Sequence, residues 1–187
     1  KTIKKRAGFG PPAELFDLLR WASTLYVTPL SRALAAASSE RNVTSLPAPP
    51  NKPSLEAGEE FAPGVWTFGP TRDPLPLVLS AYRTTEHQLG TLLVLVPTEG
   101  WAERLTARLV SRGLPAVSLA NGWSAARAGW PIVVGTRSAC FAPTPRVAGA
   151  VVLDADDEAF VSESSPTREA TRIVVEQIGR AHVWTPV

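Results

Sequence analysis

The chain has 187 residues, of which 44% are hydrophobic, so it is long enough to bury the core of one domain of ordinary size. The formal net charge is only +2, which excludes a protein that coats nucleic acid by charge alone. The single cysteine, Cys140, excludes an internal disulfide framework and a cysteine-rich metal site, and its apolar neighbours predict a packed side chain.

Residues 1–40 begin with a basic cluster and continue with two predicted helices. The cluster is either a solvated segment or a set of phosphate contacts, and it contains Lys1, Lys4, Lys5 and Arg6. Apolar residues then fall on one helical face at Leu15, Leu18, Leu19, Ala22 and Leu25. The Thr28 hydroxyl followed by Pro29 predicts the capped start of a second helix. Because two helices are too small to fold alone, we expect partner strands upstream of the chain.

Residues 41–60 predict an exposed linker, because they are rich in proline and lack apolar periodicity. From residue 61 onward, apolar strands alternate with helices. Strands are predicted at 65–68, 91–96, 116–119, 132–135 and 150–153, and helices at 75–84, 101–109, 123–128 and 167–176. This alternation predicts a parallel, doubly wound α/β sheet over residues 61–177, in which ligands bind beyond the carboxyl ends of the strands. Four tryptophans are expected to pack this lobe, namely Trp66, Trp101, Trp123 and Trp130.

The spacing of Gly64 and Gly69 matches a phosphate-loop template, but proline stands where the lysine is needed. A phosphate loop uses consecutive backbone N–H groups and a lysine ammonium to hold the phosphates. Pro70 has neither an N–H group nor a charge. The segment Gly69-Pro70-Thr71 therefore predicts no working nucleotide site.

Three segments that follow predicted strands carry a family resemblance. They read VLVPTE at 94–99, GTRSACFAP at 135–143 and DADD at 154–157. In order and spacing they are similar to the VLVPE, GTRSA-x-F-x-P and DEEH segments of the primosomal protein N′ (PriA) family of replication-restart helicases. Residues 18–22 with Tyr26 and Leu34 resemble the end of that family's amino-terminal DNA-binding domain. The resemblance covers roughly residues 1–40 and 61–177, and it is closest to the divergent, motif-poor actinobacterial branch.

The resemblance implies a RecA-like first helicase lobe, preceded by the helical tail of a DNA-binding domain. In the family, the first Asp of DEEH positions Mg²⁺ and the following Glu activates water. Asp154 matches that Asp, whereas Ala155 replaces the Glu, and neither Asp156 nor Asp157 is a histidine. With the phosphate loop also missing, the resemblance implies a member without ATPase or helicase activity. ATP with Mg²⁺ and zinc are expected for the family only. The acidic run Asp154, Asp156, Asp157 and Glu158 is either a metal site or, because the phosphate loop is missing, a relic or a helix cap.

The resemblance also implies DNA as the partner, especially stalled or branched forks, and other primosome proteins as further candidates. Phosphate contacts are expected from Lys4, Lys5, Arg6, Arg20 and Arg137. Arg137 is alternatively a structural arginine bound to carbonyl groups, and Trp21 and Tyr26 either stack on bases or pack in the core. Two other functions stay open: an active ATP-dependent 3′–5′ helicase with a nonstandard nucleotide site, and an unrelated α/β enzyme.

The last ten residues, IGRAHVWTPV, fit nothing upstream. They resemble the conceptual translation of a sequencing adapter in which a TGA stop is read as tryptophan, so we interpret residues 178–187 as an artefact. Because the sequence contains no methionine, we expect the chain to be an internal piece of a longer protein. Without a signal peptide or a long apolar run, we expect a cytoplasmic location.

Overall fold

The computed structural model describes residues 8–69, 71–161 and 169–182. Within these ranges the chain forms a mixed α/β fold, as predicted. In chain order the elements are α1 (Ala13–Leu25), α2 (Leu30–Ala37), α3 (Leu75–Glu86), β1 (Thr91–Leu95), α4 (Glu99–Val110), β2 (Ala116–Ser118), α5 (Trp123–Ala128), β3 (Ile132–Gly135), β4 (Val147–Val152) and α6 (Ala170–His182).

The four strands form one parallel sheet in the order β2-β3-β1-β4. All five residues of β1 are buried. Successive side chains of a strand point to opposite faces, so Leu93 and Leu95 enter one hydrophobic core, and Leu92 and Val94 enter another. Helices α1, α2, α5 and α6 cover the first core, and α3 and α4 cover the second. The prediction of a parallel sheet with helices on both faces is therefore confirmed.

The helical pair α1–α2 completes one face of this sheet. Leu15, Leu18 and Leu19 of α1 are buried in the first core together with Leu93 of β1 and Ile173 of α6. Each buried leucine contributes about 1.5–3 kcal/mol through removal of its apolar surface from water. The pair thus finds its apolar partner within the described chain, and the expectation of further strands upstream stays a prediction.

The predicted strand at residues 65–68 is wrong. The segment has no regular secondary structure, and Val65 is fully exposed. The ring of Trp66 instead meets Phe61 edge to face, with their centroids 5.2 Å apart. Trp66 is 48% exposed and belongs to neither core, so its predicted packing in the lobe is also wrong. A short apolar segment forms a strand only where a neighbouring strand accepts its backbone groups, and here the rings of Trp66 and Phe68 pack on Phe61 instead.

Several element boundaries differ from the prediction, among them the starts of α2, β4 and α6. The Thr28 hydroxyl does not cap α2, because it donates to the carbonyl of Tyr26 at 3.2 Å while Pro29 takes the N-cap position. Strand β4 begins at residue 147, before the predicted 150, in a stretch whose alanine and glycine have weak strand propensity. Helix α6 starts at residue 170 and continues to residue 182, and Ile178 packs against the first core. The predicted start at residue 167 lies outside the described residues.

The proline-rich segment 41–60 contacts α3 through its later residues, from Lys52 onward. It has no regular secondary structure and no fully buried residue, as expected of a linker. Several hydrogen bonds nevertheless attach it to α3 and to the turn that follows α3. Lys52 Nζ donates to the carbonyls of Thr85 (3.1 Å) and Gln88 (2.8 Å). Ser54 Oγ and the Leu55 N–H donate to the Glu86 carboxylate (2.8 and 3.2 Å), and the Tyr82 hydroxyl donates to the Pro53 carbonyl (2.9 Å). The segment therefore acts as a strap on the second face of the sheet.

Candidate functional site

The carboxyl ends of β1, β3 and β4 meet at one edge of the sheet, because the three strands are parallel neighbours. Helix α4, which follows β1, packs on one face, and α6, which follows β4, packs on the other. The chain therefore leaves two adjacent strands in opposite directions. Such a switch point is where open α/β sheets bind ligands. The three segments that carry the family resemblance all reach this edge.

Polar side chains after β1 and β3 bind each other at this edge. Thr98 caps α4 by accepting a hydrogen bond from the Trp101 N–H. Glu99 lies in the first turn of α4, where a carboxylate complements the helix dipole. Its Oε1 accepts a hydrogen bond from Thr136 Oγ1 at 2.9 Å. These bonds join the ends of two strands, so the side chains serve the fold at this edge.

The acidic run after β4 is a turn with one capping carboxylate. Asp154, Asp156 and Asp157 are all exposed. Asp154 has a φ of 50°, a left-handed conformation that aspartate tolerates better than most residues. The Asp157 side chain accepts a hydrogen bond from the Ala159 N–H at 2.7 Å and caps a short 3₁₀ turn, which supports the capping interpretation for this residue. In the described part of the chain, no three potential metal-ligating side chains come together.

Arg137 points its guanidinium at backbone carbonyls. Nη1 donates to the carbonyl of Val161 at 2.9 Å, with the carbonyl of Ala159 at 3.4 Å. This geometry corresponds to the structural alternative for Arg137. The exposed carboxylates of residues 154–158 lie on the same segment, and they oppose the approach of a phosphate. A DNA contact by Arg137 stays a prediction.

The other predicted DNA contacts belong to the amino-terminal part of the chain. Arg20 is exposed on α1, whereas residues Lys4, Lys5 and Arg6 lie outside the described residues. Among described residues, no hydrogen bond or ion pair joins Arg20 to the carboxyl edge. The neighbouring aromatics Trp21 and Tyr26 are half-buried against the first core, so packing accounts for both of them. Tyr26 also extends its hydroxyl toward the carbonyl of Glu169, at 3.4 Å.

The segment that resembles a phosphate loop is followed by α3, whose first N–H group is bonded to the carboxylate of Asp73. Pro70 lies outside the described residues, between Gly69 and Thr71. At the start of α3, Asp73 Oδ1 accepts hydrogen bonds from the Leu75 N–H (3.1 Å) and from Arg108 Nη1 (3.0 Å). The bond from Arg108 is the main reason that the pKa of Asp73 is lowered and that of Arg108 is raised. A phosphate at this helix start would meet a carboxylate already bound there.

This helix start also lies away from the switch point. Helix α4 connects two parallel strands, so it runs from the carboxyl edge of the sheet back toward the amino edge. Arg108 is in the last turn of α4. Its contact with Asp73 therefore places the start of α3 beside the end of α4 that is remote from residues 96–99.

The sequence analysis missed a basic surface on α4. Arg104, Arg108 and Arg112 follow one another at intervals of four residues, and all three are exposed. With Trp101 and Leu105, the first two line an open hollow beside the helix. The signal was present in the sequence, because residues four apart share one face of a helix, and a helix was predicted here.

The sequence matches no protein-family model, and no curated protein matches it. In the part of the chain that the structure describes, every helix is too short or too polar to cross a membrane.

Proposed function

We propose that the chain is a DNA-binding replication-restart protein of the primosomal protein N′ type, in which a RecA-like motor lobe has become a scaffold without ATPase activity. The support comes from the three family-like segments and from the parallel sheet that carries all of them to one edge. Stalled or branched forks are the proposed ligand, and other primosome proteins are the proposed further partners.

We infer the loss of ATPase activity from one observation, which is the set of side chains present at the carboxyl edge of the sheet. Asp157 is engaged as a cap, Glu99 is engaged by Thr136, and Ala155 has no carboxylate. Phosphoryl transfer needs a metal, a phosphate clamp and a group that positions water. Loss of one such electrostatic group commonly lowers the rate by about 10²–10³-fold. With both the clamp and the water-positioning group missing, hydrolysis falls to near background.

DNA binding in this proposal depends on the basic side chains of the amino-terminal part. Lys4, Lys5 and Arg6 supply most of the phosphate contacts, and Arg20 on α1 adds one more. Arg137 serves the fold through its carbonyl contacts. So few contacts give weak binding that falls as salt rises, since each neutralised phosphate releases counterions.

Two measurements on the full chain test the proposal. The first is ATP hydrolysis with and without forked DNA, where we expect no DNA-stimulated turnover. The second is fork binding as a function of NaCl concentration, compared between the unmodified chain, the triple variant K4A/K5A/R6A and the control R32A, which removes an exposed arginine of α2. We expect the triple variant alone to bind more weakly and with a smaller salt dependence. ATP hydrolysis stimulated by DNA would contradict the proposal. So would a fork affinity that is independent of NaCl concentration and unchanged in K4A/K5A/R6A.

A further inference from the structure

A row of three arginines lies on the side of α4 that faces the start of α3 and on the turn that follows α4. Arg104 and Arg108 lie on the helix, and the N–H of Arg112 still donates to the Leu109 carbonyl at 3.1 Å, so the turn continues to Arg112. Side chains four residues apart share a helix face, and all three arginines are exposed. Together with Trp101 we call this surface the arginine face.

The arginine face has an excess of positive charge. Arg108 binds both carboxylate oxygens of Asp73, at 3.0 and 2.5 Å. Among the described residues, no carboxylate forms an ion pair with Arg104 or Arg112. Glu103 is the nearest carboxylate in sequence to Arg104, but it lies about 100° around the helix. Three guanidinium groups therefore face one bound carboxylate.

An aromatic ring lies beside these guanidinium groups. Trp101 precedes Arg104 by three residues and is half-buried, with one part of its indole packed on the second core. With Arg104, Leu105 and Arg108 it lines an open hollow on the helix surface. Basic side chains that follow a backbone, next to an aromatic ring on which a base stacks, are the elements of single-strand recognition.

We propose that the arginine face binds single-stranded nucleic acid. Arg104 and Arg112 contact phosphates of one strand, Asp73 holds the Arg108 guanidinium in a fixed orientation between them, and an unpaired base stacks on Trp101. An unpaired base fits this surface better than a duplex, because the bases of a duplex are already stacked on one another. The surface is separate from Arg20 of the proposed function, since α4 and α1 cover opposite faces of the sheet. The inference shares with that function only the choice of nucleic acid as ligand.

The test measures binding of a fluorescent oligothymidylate of about 16 nucleotides by anisotropy, over a range of NaCl concentrations. The variants are R104A/R112A, R104K/R112K and the matched control R32A. Alanine favours the helix and both arginines are exposed, so the double variant is expected to fold, which circular dichroism checks. Losing two phosphate contacts should lower the slope of log affinity against log salt by about 1.4. The lysine variant should retain that slope, and R32A should behave like the unmodified chain.

A second readout addresses the stacking. In Trp101→Phe a ring remains to pack on the core, but one indole is removed. We expect the oligonucleotide to quench tryptophan fluorescence of the unmodified chain more than that of W101F. Equal quenching in the two proteins would overturn the assignment of Trp101.

The outcomes separate this inference from the proposed function. Oligonucleotide binding that is equal in R104A/R112A and the unmodified chain, or weakened equally by R32A, overturns the inference. The inference is also overturned if the chain binds forks but not the oligonucleotide, or if blunt duplex DNA competes for the chain as well as single-stranded DNA does. In either case the proposed function still stands. If R104A/R112A alone loses the oligonucleotide while forks whose arms are all duplex do not bind, the inference stands and the proposed function fails.

Discussion

Replacing Tyr82 by phenylalanine isolates one hydrogen bond between α3 and the proline-rich strap. The Tyr82 side chain is fully buried in the second core, and its hydroxyl donates to the Pro53 carbonyl at 2.9 Å. The phenylalanine ring fills the same space, so packing is retained and the carbonyl loses its donor. We expect the free energy of unfolding to fall by about 1–2 kcal/mol. For a chain of this length, that corresponds to a melting temperature lower by about 2–8 °C.

The second tyrosine of the chain provides the matched control. The Tyr26 hydroxyl lies 3.4 Å from the Glu169 carbonyl in an exposed position, a distance at which a hydrogen bond is weak. Tyr26→Phe should therefore change stability by less than about 0.5 kcal/mol. Urea unfolding followed by circular dichroism, together with thermal melts, compares the two variants under one set of conditions. If Y82F matches the unmodified chain, or if Y26F loses as much stability as Y82F, the strap is not held as described.

Three further predictions concern titration and the carboxyl edge. Burial raises the pKa of Tyr82 to about 12, above the ordinary 10.0. The neutral hydroxyl therefore stabilises the fold fully below about pH 10, and this contribution is lost as the pH rises toward 12. In Y82F the free energy of unfolding should not show this decrease between about pH 10 and pH 12. The Arg108 hydrogen bond lowers the pKa of Asp73 below 3.8, so this pair stabilises above that pH and its contribution disappears in acid. Because both side chains are half exposed, D73N should cost less than about 1 kcal/mol at pH 7 and nothing at low pH, and an equal cost at both would contradict the assignment. Arg137→Ala should lower stability by about 1–2 kcal/mol through loss of the Val161 contact and leave fork affinity unchanged, whereas weaker fork binding with unchanged stability would assign Arg137 to DNA.

The elements that follow from local pattern were predictable from the sequence. The apolar run of β1 predicted a strand buried on both faces, and α5 has the predicted bounds. Long-range partners were not predictable. The apolar residues at 65–68 predicted a short strand, but only the structure shows that Trp66 meets Phe61 instead of a neighbouring strand. Likewise, proline content predicted an exposed segment at 41–60 but not its attachment to Tyr82 and Glu86.

The candidate site was predictable in position but not in detail. The sequence placed three segments at the carboxyl edge, because parallel strands end at a common edge, and it included capping among the roles of the acidic run. The direction of the Arg137 guanidinium supports the structural interpretation of this residue, and no pattern in the sequence encodes that direction. The geometry of the capping bond from Asp157 likewise depends on how the chain turns after β4.

The packing of α1 and α2 on the first core has a consequence for how the chain can be divided. A fragment that starts after the strap would lose the part of the first core that α1 and α2 supply, so we expect the sheet and the helical pair to unfold as one cooperative unit. Whatever binds the exposed side of α1, where Arg20 lies, therefore stabilises the whole sheet by mass action. DNA bound at that surface would therefore raise the melting temperature of the whole sheet, including the face opposite α1.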